Sequence, residues 1–201
     1  MHSAIRTVAS AAPTLTPGRW PIDPNHSAIT FAIRHLGLSK VRGRFRVFDV
    51  FLNIGPSITE FEVVANIDLA SIDTSNLDRD AHLRSTDFFN VDQHPTMTFR
   101  STRIEPAAGG YTMTGDLTLN GTTRSVTLDV ESNGLVVVPT DGRTHFGLSA
   151  VGELRRSEFG IEFGLMPIGI DRLALADKVA FELEMQFLQP PDGSSSPPPR
   201  P

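Results

Sequence analysis

Apolar and polar residues alternate with a period of two through most of the chain. In "YTMTGDLTLN" the positions Tyr111, Met113, Leu117 and Leu119 face one way, and Thr112, Thr114, Asp116 and Thr118 face the other. Such alternation marks strands buried on one face. "SVTLDVE" sets Val126, Leu128 and Val130 against Thr127, Asp129 and Glu131. "FEVVANIDL" collects Phe61, Val63, Ala65, Ile67 and Leu69 on one face, and "VAFELEMQF" collects Val179, Phe181, Leu183, Met185 and Phe187. "SAITFAIRH", "GRFRVFDVFLNI", "TMTFRST" and "HFGLSAVGEL" bring the predicted strands to about eight.

Asn120-Gly121 predicts a tight hairpin between two of these strands, since both residues accept the positive φ such a turn needs. Only "SNLDRDAHLRS" reads as a helix, with Ser75 as the expected N-cap, Leu77 and Leu83 as sparse apolar contacts and Arg84 near its end. About eight antiparallel strands, each with one apolar face, must stack or close on themselves, and closure removes exposed edges. The fold class expected is therefore all-β, an extended antiparallel β-barrel with one short helix. A barrel of that size either fills with side chains or holds one ligand. The inward series mixes Phe31, Phe45, Phe61, Phe99, Phe146 and Phe181 with Ala65, Gly115, Ala150 and Gly152. That mixture suits both outcomes and leaves the choice open.

Composition narrows the class. The 201 residues are 39% hydrophobic and 20% charged, without an apolar run near the ~18 residues that span a bilayer. A soluble globular body is expected from residues 19 to 189. It is flanked by a flexible N-terminal arm, 1–18, and a disordered Pro/Ser-rich tail, 190–201, containing "PPDGSSSPPPRP". The net charge of −5 argues against a nucleic-acid partner. The absence of cysteine removes disulfides, thiolate catalysis and sulfur-ligated metal clusters. The N-terminal stretch has Arg6 and a small-residue Ala9-Ser10-Ala11 but no apolar core between them, so a cytoplasmic location is expected.

The chemistry-bearing residues are dispersed. His26, His35, His82, His94 and His145 are scattered, His2 lies in the arm, and no helical His pair brackets a carboxylate. A core or rim histidine is the favoured reading of His35, which shares parity with Phe31 and Ile33. A three-histidine site assembled across strands stays open. There is no nucleophile elbow, no phosphate-cradling loop and no dinucleotide fingerprint. Carboxylates such as Asp116, Asp129, Glu131, Glu182 and Glu184 fall at outward positions. "KVRGRFR" sets Lys40, Arg42, Arg44 and Arg46 on one face of a strand, opposite Val41, Phe45 and Val47. Such a stripe is either a wet outer face or a seat for anionic groups. "GELRRSEFG" adds Arg155, Arg156 and Glu158 around a bend.

Four segments carry a family resemblance: "WPIDPNHSAITFAIRH", "IDTSNLDRDAHLRSTDFFNVDQHPTMTFRST", "GDLTLNGTTRSVTLDV" and "RRSEFG". Together, and in this order, they resemble the YceI-like family of lipocalin-like proteins over about residues 20 to 188. The middle segment is the most specific, through Ile72-Asp73-Thr74, Arg79-Asp80, His82-Leu83, Asp87-Phe88-Phe89, Pro95 and Phe99. The resemblance implies a barrel enclosing a long apolar tunnel, and a polyisoprenoid ligand such as an isoprenoid quinone or a prenyl diphosphate-like molecule. Many relatives are exported to the periplasm, whereas this chain shows no recognisable signal peptide and carries an unusual Pro-rich tail.

On this reading the apolar lining is expected from Phe31, Ile33, Phe45, Phe61, Val63, Ala65 and Ile67. It continues with Leu83, Phe88, Phe89, Met97, Phe99, Met113, Leu117, Val126 and Leu128, then Phe146, Leu148, Phe181 and Leu183. A polar rim is expected from His35, Asp80, His82, Arg84 and Arg156. Phe88 and Phe89 either line one end of the sleeve or plug a filled barrel. The expected protein is a lipid carrier without catalytic residues, metal or cofactor, compatible with a transient membrane-surface contact and a homodimer. One alternative is an enzyme of isoprenoid or quinone metabolism using His35, Asp80 and Arg156. The other is a filled barrel that recruits partners through its basic stripe and tail.

Overall fold

The computed structural model describes residues 14–169 and 172–191. In chain order the strands are β1 (Gly18–Pro21), β2 (Ala28–His35), β3 (Ser39–Phe45), β4 (Phe48–Ile54), β5 (Glu62–Asp68) and β6 (Ile72–Asp73). Helix α1 (Leu77–Arg84) follows, and then β7 (Thr96–Ala107), β8 (Gly110–Leu119), β9 (Thr122–Val137) and β10 (Thr144–Arg155). The series ends with β11 (Pro167–Gly169), β12 (Arg172–Leu173) and β13 (Leu175–Leu188). Eleven of these strands form one curled antiparallel sheet in the order β1-β4-β5-β7-β8-β9-β10-β13-β2-β3-β6, and β11 pairs with β12 alone. The all-β barrel architecture is as the alternation predicts, with more strands than expected.

Two of the extra sheet strands are short pieces that close the ends. Beyond β1, which pairs with β4, Ile22 bridges to Phe187 on β13 while its N–H donates to the Val50 carbonyl. That segment therefore ties one margin of the sheet to β13. β6 adds to β3 through Arg44↔Asp73 and Phe45↔Ile72. The third comes from "GRFRVFDVFLNI", which breaks into β3 and β4 at Arg46–Val47. Inward parity slips there, so that Val50, Leu52 and Ile54 are buried. Val47, expected to face inward, is instead 57% exposed.

Residues 119–122 form the predicted two-residue hairpin, with φ of 50° at Asn120 and 73° at Gly121. The helix starts one residue later than expected. Asn76, not Ser75, is its N-cap, accepting from the Arg79 N–H. Ser75 instead sits at φ 60° and donates its N–H to Asp73 Oδ1. Leu77, expected as an apolar contact, is solvent-exposed, whereas Leu83 packs against the core.

Leu15 also packs on the core, and the Thr16 carbonyl accepts from Trp20 Nε1 at 3.0 Å. The packed body thus begins before the expected boundary at residue 19. Residues 1–13 of the expected arm and 192–201 of the expected tail lie outside the described residues.

Candidate functional site

The inward face of the curled sheet is not filled. It encloses a cavity of about 480 Å³ whose lining is almost entirely apolar. This volume falls in the ~300–1,000 Å³ range of small-molecule pockets. Three phenylalanines lean over glycines on neighbouring strands, which lets the rings lie flat against the wall. A Cβ at Gly43 would stand 2.4 Å from the Phe31 ring, one at Gly115 2.3 Å from Phe99, and one at Gly152 2.6 Å from Phe181. Any larger residue at these positions would push a ring away from the wall and into the space.

Every residue expected in the apolar lining faces this cavity except Phe61 and Phe146. Phe61 precedes β5 and packs partly buried against the core, while Phe146 is buried opposite Phe187 on β13. Further wall positions come from Val41, Val179, Met185 and Phe187, whose strand parity was already visible, and from Val50, which turns inward only because parity slips at Arg46–Val47. Ile161 and Phe163 also contribute, from a loop without periodicity, which gave no signal.

Apart from Thr30 on β2, the polar groups gather at one end. His35 at the end of β2, Thr74, Arg79 and His82 around α1, and Arg156 after β10 all border the cavity. The helical period explains which α1 residues arrive. Arg79, His82 and Leu83 are spaced i, i+3, i+4 and share the face toward the cavity. Asp80 and Arg84 share an adjacent face, and the structure does not bring either to the cavity, contrary to expectation. Asp80 is buried and accepts from the Thr74 N–H at 2.9 Å and from its hydroxyl. Arg84 donates to the carbonyls of Ala70 at 2.9 Å and Ile72 at 3.2 Å. Both residues fasten α1 to the β6 segment. Arg79 strengthens the same latch through Thr74 Oγ1 and Thr74 O, each at 2.7 Å.

Phe88 and Phe89 both line the cavity and belong to two aromatic groups. Phe89 stands 6.2 Å from Phe45, which is 5.7 Å from Phe31, so a row of rings runs along the wall. Phe88 meets His82 at 5.1 Å and Phe163 at 5.1 Å, and His82 meets Phe163 edge-on at 4.7 Å. The His82 ring is held by Asp87 Oδ2 at 2.8 Å from Nε2. Phe163 is 48% exposed, so this second group lies at the boundary between cavity and solvent.

Arg156 is the buried cation of the site, only 4% exposed. Its Nε, Nη1 and Nη2 donate to the carbonyls of Ala176, Ile161 and Leu175 at 2.9, 3.0 and 3.1 Å. Burial lowers its pKa from the ordinary value, and the nearby Asp177 opposes that shift. A guanidinium keeps its charge at any physiological pH. Its direct partners are carbonyls, so it presents positive charge to the cavity end and also pins the loop that carries Phe163. Among the described residues, no cluster of three or more His, Asp or Glu is arranged to hold a metal ion.

A model of the YceI-like domain matches residues 20–187. The chain belongs to the YceI-like family. A UPF0312 protein of Staphylococcus epidermidis is 37% identical over 170 residues, covering 84% of this chain and 96% of that protein. The crystal structure of Burkholderia cenocepacia BcnA superimposes with a TM-score of 0.70 at 23% identity, covering 82% of this YceI-like chain and 98% of its own. A polyisoprenoid binding domain from Saccharophagus degradans, implicated in plant cell wall breakdown, gives a TM-score of 0.63 at 14% identity, covering 85% and 98%. These two likenesses concern the fold of the YceI-like barrel. They agree with a curled antiparallel sheet carrying one short helix.

Proposed function

We propose that this YceI-like barrel binds a long-chain polyisoprenoid, or an isoprenoid-quinone-like lipid, inside the cavity and carries it without altering it. One observation carries the reading: an apolar cavity of about 480 Å³ whose polar lining, Thr30 apart, comes from His35, the α1 region and Arg156. An amphiphile with a long hydrocarbon chain and one small polar head matches that division. Each buried methylene contributes about 0.8 kcal/mol, so a dry sleeve is sufficient for affinity along the chain. The head then lies near Arg156, Arg79, His82 and His35. Arginine has five N–H donors, and Arg156 uses three on backbone carbonyls. Donor capacity is left for a carbonyl or phosphate oxygen.

The printed name of the Saccharophagus degradans domain, a polyisoprenoid binding domain, supports the same class of ligand. The arrangement favours carriage over catalysis. Arg156 and Arg79 are engaged in holding backbone and side chain of the loops around the end, and Asp80 is committed to Thr74. The enzyme alternative loses one of its three groups by that placement.

Titrating delipidated protein with a fluorescent polyprenyl probe tests this reading. Saturable uptake approaching one probe per chain, competed by unlabelled polyprenyl lipid, is the expected result. No uptake by protein that is folded by circular dichroism refutes it.

A further inference from the structure

We propose that the polar end of the barrel docks on an anionic lipid bilayer, with the β2–β3 hairpin as its main contact. The inference rests on the reading of the cavity as a lipid site, and it names the surface from which the lipid is taken or to which it is given. Three observations converge on this end of the molecule.

The first is exposed apolar bulk at the rim. Leu38, at the turn between β2 and β3, is 71% exposed, and Met166 is 64% exposed. Backbone bonds join the two places: Leu36 N–H donates to the Ala174 carbonyl at 3.0 Å, and Ala174 N–H donates to the Met166 carbonyl at 3.2 Å. Leu175 N–H closes the group on the Gly164 carbonyl, next to half-exposed Phe163. Leu38, Met166 and Phe163 therefore stand on one connected rim, and Phe163 and His35 at that rim border the cavity.

The second is a segregation of charge. The chain carries a net −5, yet residues 34–46 hold five cations and not one carboxylate. Arg44 and Arg46 share one carboxylate, Asp73, at 3.1 and 2.7 Å. Arg34, Lys40 and Arg42, nearer the hairpin turn, have no ion pair among the described residues. Glu182 on the neighbouring strand faces the same outer groove as Lys40 and Arg42 without pairing with them.

The third is the register. Arg34 lies directly opposite Lys40 across the hairpin, with Arg42 next in line opposite Ala32. Like charges facing each other across two strands destabilise a hairpin. The fold retains that repulsion at the tip where apolar side chains are exposed beside it. An anionic membrane surface relieves the repulsion and buries the apolar tips in one contact. The combination of cations flanking exposed Leu, Met and Phe is the pattern of an interfacial anchor.

Flotation of the full-length protein with vesicles tests the proposal. One set is phosphatidylcholine alone and the other contains phosphatidylglycerol. Binding is expected to the anionic vesicles, falling as salt is raised. Each cation near an anionic surface contributes roughly fivefold to partitioning. The triple variant Arg34→Gln, Lys40→Gln, Arg42→Gln should therefore bind about a hundredfold more weakly. Leu38→Asp should weaken binding about tenfold or more through loss of the inserted side chain. None of these four side chains lines the cavity, so uptake of the polyprenyl probe from solution should match wild type in both variants. Equal affinity for the two vesicle types, binding to neither, or a triple variant that floats like wild type overturns the docking surface. Charge-dependent flotation by a protein that takes up no probe would sustain the docking surface and refute the lipid cavity instead.

Discussion

Replacing Ala65 with tryptophan separates a hollow barrel from a filled one in a single variant. Ala65 is buried, lines the cavity, and stands in register with Val50 on one side and Phe99 on the other. Its Cβ points at the empty space, so an indole attached there enters the cavity rather than the wall. The ligand-free protein should then change its melting temperature by less than about 2 °C, because no neighbour is displaced. In a barrel packed to ordinary interior density, the same ring would overpack the core at about 1–3 kcal/mol. For a domain of this size that loss lowers the melting temperature by roughly 2–12 °C.

Ligand binding responds in the opposite sense. A buried aromatic side chain covers about 150–250 Å². At about 25 cal/mol per Å², the indole removes roughly 4–6 kcal/mol of contact from a long-chain ligand. That corresponds to binding weaker by roughly three to four orders of magnitude, at about 1.4 kcal/mol per tenfold. The assay pairs thermal unfolding of delipidated Ala65→Trp with titration by a fluorescent polyprenyl probe. A strongly destabilised variant whose residual folded fraction still binds the probe at wild-type affinity would refute the reasoning.

Three further outcomes follow from particular contacts. Gly115→Ala should destabilise the protein by about 1–3 kcal/mol in chemical denaturation. Its new Cβ would meet both the Phe99 ring and, at 2.6 Å, the Arg100 carbonyl, and the backbone cannot step aside as a side chain can. Asp80→Ala should lower stability by about 1–3 kcal/mol, since it strands the Thr74 N–H and hydroxyl, while probe affinity at low temperature stays near wild type. A large loss of affinity without loss of stability would return Asp80 to the ligand site. Asp177 governs part of the acid response. Burial raises its pKa, but bonds from Ser157 and Arg155 and the Arg155 charge outweigh this and hold it below the ordinary carboxylate value. A depressed folded-state pKa contributes stability above the ordinary unfolded value near ~3.9, lost as pH falls through the folded value. Asp177→Asn should therefore melt below wild type at neutral pH, and the gap should close in acid as pH falls through the depressed folded-state value, below the ordinary carboxylate range. A gap that persists or widens in strong acid contradicts the assignment.

Much of the barrel was legible because period-two alternation survives in the inward faces of β5, β8, β9 and β13, buried on β5 and at most positions of β8 and β9, and half-buried at Val179, Phe181 and Leu183 on β13. The break between β3 and β4 was not legible. Apolar residues continue through Arg46–Val47 while the inward parity changes, and sequence spacing alone does not show where a strand bends. The rim was legible only in part, for a different reason. Choosing among Arg79, Asp80, His82 and Arg84 required knowing which side of a two-turn helix meets the sheet. Hydrophobic patterning carries little of that information here, because Leu77 is exposed and Leu83 alone faces inward. Phe163 and Ile161 reach the site from a loop anchored by Arg156, an arrangement set by carbonyl contacts that no local pattern announces. Whether the interior is hollow depends on the summed bulk of all strands at once. The pairing of Phe31, Phe99 and Phe181 with Gly43, Gly115 and Gly152 is a three-dimensional fact, even though each residue's parity was visible.

A cavity that holds a long-chain lipid with its head near Arg156 should yield that lipid when the protein is extracted. Mass spectrometry of an organic extract from protein purified without detergent tests it most directly, with the protein quantified in the same sample. The expected extract contains a long-chain amphiphile of the polyisoprenoid class in amounts approaching one per chain, depleted in the extract from Ala65→Trp. An extract of folded wild-type protein that contains no apolar ligand, or one whose ligand is equally abundant in Ala65→Trp, would contradict it.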